Sequence, residues 1–203
     1  MAAGYKTEDI GVARAAPLAV ALPHGITFQQ LLKESGLPFV PVPGMPSHRP
    51  SASFKLPGAE TLAVDLLVPG KRAGEVVSVK ELQTHAQAVP LLDFLIGEPI
   101  DSVILSPNQV IPVKLPSPER FALHKLFASQ SRTFDRDKAS KDLEQAATLA
   151  AVVEEELPGR LSEAFRRMPA AGKTRTRRAA RIAAKRLEDV HAQGAEALLK
   201  LAR

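Results

Sequence analysis

One carboxylate interrupts the apolar run at residues 62–69: Leu62, Ala63, Val64, Asp65, Leu66, Leu67, Val68 and Pro69. A buried carboxylate without a partner costs several kcal/mol. Asp65 therefore either pairs with one of the chain's 27 Lys and Arg groups or opens into a polar site. A second set of candidates lies at 117–132. Phe121, Lys125 and Arg132 are four and seven residues apart, so Lys125 and Arg132 project along one helix face. Together with a carboxylate strand, two such cations are what a nucleoside triphosphate and its metal ion need. Lys would act as a point charge for phosphate and Arg as a forked donor. Cations carried for solubility read the same way. Asp142 falls in the first turn of the next predicted helix, where exposed amides and the positive dipole end favour a carboxylate. It can also pair with Lys125 or Arg132 and hold that cation in place.

The remaining candidate is the basic tail. Residues 160–203 carry 12 Lys and Arg against 4 Asp and Glu, and residues 1–159 carry 15 against 18. Arg178, Arg181 and Lys185 lie on one side of a predicted helix there. Ala183, Leu187, Val190, Gly194, Leu198 and Leu201 form an apolar stripe on another. Phosphate contacts by the basic side would give salt-dependent, sequence-neutral nucleic-acid binding. A solvated amphipathic helix is the plainer reading of the same pattern. With no Trp and one Tyr, a base-stacking platform is not expected.

Several chemistries lack their residues. There is no Cys, hence no disulfide framework and no thiolate metal site. The five His residues, at 24, 48, 85, 124 and 191, show no ligand spacing. No Gly-x-Ser-x-Gly elbow, P-loop or dinucleotide glycine fingerprint occurs. No apolar run approaches the ~18 residues of a membrane span, and no signal-peptide order opens the chain. The expectation is a soluble, cytoplasmic protein.

The elements that would position these groups follow from periodicity. Short strands are expected within 9–22, and a helix at 27–36 capped by Thr27 and ended by Gly36. Residues 53–56 should form a hairpin with the Asp65 strand. Further strands are expected at 75–79, 102–105 and 109–113, the last two joined by a turn at 106–108. A helical turn or two should fill 91–96, and 85–89 is ambiguous. Helices should then span about 118–132, with Ser117 as cap and Pro118 in the first turn, and about 138–156, 158–167 and 174–202. Strands first and helices afterwards indicate an α+β fold with a mixed or antiparallel sheet and a helical C-terminal portion. Residues 1–115 read as the core, 116–168 as a helical part packing on it, and 169–203 as a basic amphipathic helix.

The segments at 7–13, 63–67 and 116–126, with Arg132 and Lys141–Asp142–Leu143, resemble a bacterial nucleotidyltransferase-fold family. It belongs to the polymerase-beta-like superfamily and is related to the nucleotidyltransferases of toxin–antitoxin systems. The resemblance implies a sheet of that type and two-metal phosphoryl transfer from an NTP such as ATP to a protein or RNA hydroxyl. It implies two carboxylates one residue apart on one strand and a third on a neighbouring strand, holding Mg²⁺ or Mn²⁺. Carried over, Asp9 is the first carboxylate and Asp65 the third, both catalytic and both metal ligands. Lys125 meets the triphosphate, Arg132 and Lys141 are further nucleotide-binding cations, and Asp142 supports them. Two departures stand out. Gly11 occupies the place of the second carboxylate, and no Gly-Ser turn precedes Asp9, so a chain entering the fold part-way is expected. Two functions follow: an enzyme, its catalysis impaired or intact, with a partner subunit as one way of completing the site; or a non-catalytic nucleotide- or nucleic-acid-binding module.

Overall fold

A computed structural model describes residues 9–13, 27–44, 50–58, 62–132 and 135–203, with only the backbone described at 9, 10, 12 and 13. The strand expected at 17–22 lies outside the described residues. By contact the chain divides into two compact units, residues 1–92 and 93–203.

In the first unit, β4 (Ala63–Pro69) is the strand on which the sheet is assembled. It pairs in parallel with β1 (Asp9–Ala13) and β6 (Thr84–Val89), and antiparallel with β3 (Ser53–Lys55). The sheet runs in the order β2-β3-β4-β6-β5, with β1 also on β4. Here β2 is Val40–Pro41 and β5 is Val76–Val79. The sheet is mixed, as expected, and the β3–β4 pairing is the hairpin anticipated around Asp65. The ambiguous segment 85–89 is a strand. Val64 and Leu66 are buried with Phe28, Phe39, Phe54 and Leu82 in one core, while Asp65 and Leu67 alternate to the other, half-buried side.

Helix α1 (Phe28–Glu34) closes this core by inserting Phe28, whose ring meets Phe54 edge-on at 5.3 Å. Thr27 fixes its start through a reciprocal capping box. Its hydroxyl accepts from the Gln30 amide at 3.1 Å, and the Gln30 side chain accepts from the Thr27 amide at 2.7 Å. Gly36, at φ +75°, takes the left-handed turn that ends it. Replacing Thr27 by Ala is expected to lower stability by about 1 kcal/mol in urea denaturation.

The second unit opens with α2 (Leu92–Ile96), only its first residue belonging to the first unit, and the hairpin β7 (Pro99–Ser106)–β8 (Gln109–Pro116). Ile100, Ile104, Ile111 and Leu115 share one hairpin face and are largely exposed. Five helices follow: α3 (Pro118–Ser131), α4 (Arg136–Glu156), α5 (Arg160–Arg167), α6 (Ala170–Leu187) and α7 (Ala192–Leu201). They bury Leu123, Leu126, Leu161 and Leu198 completely, among many small residues: Ala146 and Ala150 of α4, and Ala179 and Ala183 of α6, are at 0% exposure. Gly194 of α7 lies so close to α4 that an added Cβ would stand 2.9 Å from the Ala151 Cα.

Three expectations are corrected here. The single helix expected at 174–202 is two, because His191 caps a new start: its Nδ1 accepts from the Gly194 amide at 2.9 Å. Val190, placed in the apolar stripe, sits at that break and is 67% exposed. Ser117 occupies the cap position of α3 without making a side-chain cap bond, and its Oγ is buried with no hydrogen-bond partner among the described residues.

Candidate functional site

Asp65 occupies the third position of β4, between Ser53 on β3 and Gly11 on β1, both its direct partners in the pairing register. The Ser53 hydroxyl donates to Asp65 Oδ1 at 2.5 Å. No described group meets Oδ2. The half-buried carboxylate is thus oriented through one oxygen and available through the other. Asp9 pairs with Ala63, so residues 9 and 65 lie on neighbouring strands, two positions apart in register. The Asp9 side chain lies outside the described residues. A Cβ at Gly11 would come within 3.3 Å of Leu67 Cδ1, the movable end of a side chain.

The second set is built entirely within the helices. Asp142, at 2% exposure, is the carboxylate that both cations of α3 meet. Lys125 Nζ donates to its Oδ1 at 2.8 Å, and Arg132 Nε to its Oδ2 at 2.7 Å. The reason is spacing. Lys125 lies on α3 and Arg132 immediately after its last residue, about two helical turns further on, and Asp142 is set into the second turn of α4, where both reach it. Asp135, not Asp142, caps α4, its side chain accepting from the Lys138 amide at 2.9 Å. Lys125 also lies 5.3 Å from the centre of the Phe121 ring. The cations keep 21% and 34% of their side-chain surface exposed, and the guanidinium fork of Arg132 beyond Nε has no described partner. Lys141 is exposed.

The family model for nucleotidyltransferases matches residues 2–170. The chain belongs to a nucleotidyltransferase family. No curated protein and no solved structure matches the chain. The matched span takes in Asp9, Gly11, Asp65, Lys125, Arg132 and Asp142, and it ends where α6 begins.

Among the described residues no three His, Cys, Asp or Glu side chains gather around one point. Among the described carboxylates of the paired strands β1, β3 and β4, Asp65 is the one open to a cation, and Asp9 lies on the neighbouring strand. Both are hard oxygen donors, the kind Mg²⁺ and Mn²⁺ take. No helix among the described residues is long and apolar enough to cross a membrane.

Some groups around these sets give no signal in the sequence. Ser53 reaches Asp65 only through strand register. Arg120, at 7% exposure, anchors the start of α3, donating from Nη1 to the Phe94 carbonyl at 2.6 Å and pairing with Glu98 at 2.7 Å. Glu119 beside it is buried and meets Arg160 at 3.3 Å. His124 is buried and lies at 6.3 Å, centre to centre, from the ring of Phe127. On α6, Arg178, Arg181 and Lys185 share the solvent side, and Arg181 Nη2 donates to the Ala202 carbonyl at 2.7 Å.

Proposed function

We propose that this nucleotidyltransferase moves a nucleoside monophosphate from an NTP to a hydroxyl of a protein or RNA. The observation carrying the reading is Asp65, a lone carboxylate on the central strand of a family-matched chain, held through one oxygen and available through the other. Asp65 and Asp9 would hold Mg²⁺ or Mn²⁺, which when bound supplies positive charge to the phosphates and acidifies the acceptor hydroxyl. Asp65 takes the proton from that hydroxyl. The oxygen then attacks the α-phosphorus, and the bond to pyrophosphate breaks. In the second unit Asp142 fixes Lys125 and Arg132, so each presents its remaining N–H donors without a search through rotamers. Those donors, with the charge of Lys141, form the second unit's own set of phosphate-binding cations.

The test is incubation of the purified chain with each labelled NTP, Mg²⁺ or Mn²⁺, and protein and RNA acceptors. Transfer of label is expected, and transfer that survives Asp65→Ala unchanged would rule the site out.

Gly11 favours a second reading, nucleotide binding with little turnover, since the position beside Asp65 carries no carboxylate. The two are separated by Gly11→Asp. Leu67 Cδ1 needs to move only slightly to admit the new Cβ. The variant is expected to bind Mn²⁺ about tenfold more tightly by calorimetry, a shift of the size produced by changes around metal ligands, and to transfer label faster. An unchanged affinity would separate position 11 from any metal.

A further inference from the structure

Helix α6 has seven Lys and Arg and no Asp or Glu. Several cations elsewhere in the helical unit are matched with carboxylates: Arg160 with Glu119, Arg167 with Glu98 and Glu163, and Lys200 with Glu196. No cation of α6 meets a carboxylate among the described residues. Their contacts are of other kinds. Lys173 Nζ donates to the Arg166 carbonyl, and Arg186 to the carbonyl and hydroxyl of Ser140. Arg175 lies over the ring of Phe127 at 5.6 Å, and Arg177 over that of Phe165 at 5.4 Å. None of these contacts neutralises charge.

Four of these arginines, Arg175, Arg177, Arg178 and Arg181, line one open groove with Thr174. Arg177 adds a second observation, since its Nε is buried with no hydrogen-bond partner among the described residues. A buried donor of a charged group left unpaired is uncommon. The aromatic rings beneath Arg175 and Arg177 limit their motion, so the cost of ordering them around an anion is already partly met. Thr174, Arg178, Arg181 and Lys185 follow one another at intervals of four, three and four. The basic row therefore runs about 16 Å along the helix. That is more than one triphosphate covers and suits a run of backbone phosphates.

We infer that the arginine groove of α6 is a phosphate-backbone site for a polynucleotide, built from residues other than those of the Asp65 and Asp142 sets. It lies beyond the span matched by the family model. Phe127 and Phe165 are buried, and α6 itself has no aromatic residue, so the bases find no stacking surface and binding is blind to sequence.

The experiment is fluorescence anisotropy of a labelled RNA of about 20 nucleotides, single-stranded and duplex, titrated with the full chain from about 50 to 200 mM salt. The expected slope of log affinity against log salt is about −3, from four contacts at roughly 0.7–0.9 each. Arg178 is exposed and has no described partner, so Arg178→Glu should melt as the wild type does. It is expected to bind about tenfold more weakly, the size of one lost charged hydrogen bond, with a slope shallower by about 1. Lys185→Glu should act in the same direction, and Asp65→Ala should bind RNA unchanged. A salt-independent affinity, or wild-type binding by Arg178→Glu, would overturn the assignment. So would equal competition by phosphatidylserine vesicles, or by ATP at the concentration of RNA nucleotides. Binding here and label transfer are separate readouts, so either reading can fail without the other.

Discussion

Asp65→Ala is expected to reduce nucleotide transfer by about a thousandfold while lowering stability by only about 1 kcal/mol. The disparity follows from where the side chain sits. Val64 and Leu66 hold β4 in the core, and Asp65 is on the opposite side of the strand. Truncating it removes one hydrogen bond, from Ser53, at a half-buried site that water can reach. The strand and its three pairings keep their backbone bonds. What disappears is the negative charge that would hold a cation and accept a proton, and its two partners in register, a serine and a glycine, supply none. Asp65→Asn provides the control. It can still accept from Ser53 and fills the same volume, so its melting temperature should match the wild type. Activity retained by Asn would show that the group is needed for orientation of β3 and not for its charge.

The second large effect concerns Asp142. Asp142→Ala is expected to destabilise the helical unit by about 3 kcal/mol, seen as a fall of roughly 10 °C in melting temperature. Removing the acid leaves the cations of Lys125 and Arg132 side by side with nothing between them, after each had been within 3 Å of a carboxylate oxygen. Because both cations are partly exposed, water relieves some of that strain. This sets the figure at the lower end of the range for broken buried pairs. Replacing all three at once, with Lys125→Met, Arg132→Leu and Asp142→Leu, should recover much of the loss, since no charge is then stranded. The triple variant separates stability from chemistry. If the triad serves the triphosphate, transfer stays low in a protein that melts near the wild type; transfer at the wild-type rate would make the triad a structural device.

Much of this arrangement is legible in the sequence, for identifiable reasons. A continuous apolar run can be satisfied only inside a sheet, so residues 62–69 announce the central strand. The turn at 106–108 is marked by Ser, Pro and Asn. Lys125 and Arg132 were expected on one helix face; α3 stops at Ser131, and both nevertheless meet Asp142. What was not legible depends on register or on unusual chemistry. Ser53 is twelve residues from Asp65, and only the pairing of β3 with β4 brings it there. The break after Leu187 has neither Pro nor Gly, and His is not among the residues that ordinarily mark a helix start. Ser117 bears every local mark of a cap, yet its hydroxyl makes no bond to the amides it should meet. The arginine groove was half visible: the charge run shows in the composition, but the absence of facing carboxylates is a property of the packing.

The alanines buried in α4 and α6 carry a consequence for how this half of the molecule can change. Alanine has no rotamers to freeze, so these helices dock at little entropic cost and leave no slack around a methyl group. Enlargement at Ala146, Ala150, Ala179 or Ala183, all fully buried, must displace its neighbours. Drift in this unit is therefore channelled outward, to the solvent-facing rows where its arginines and lysines already stand.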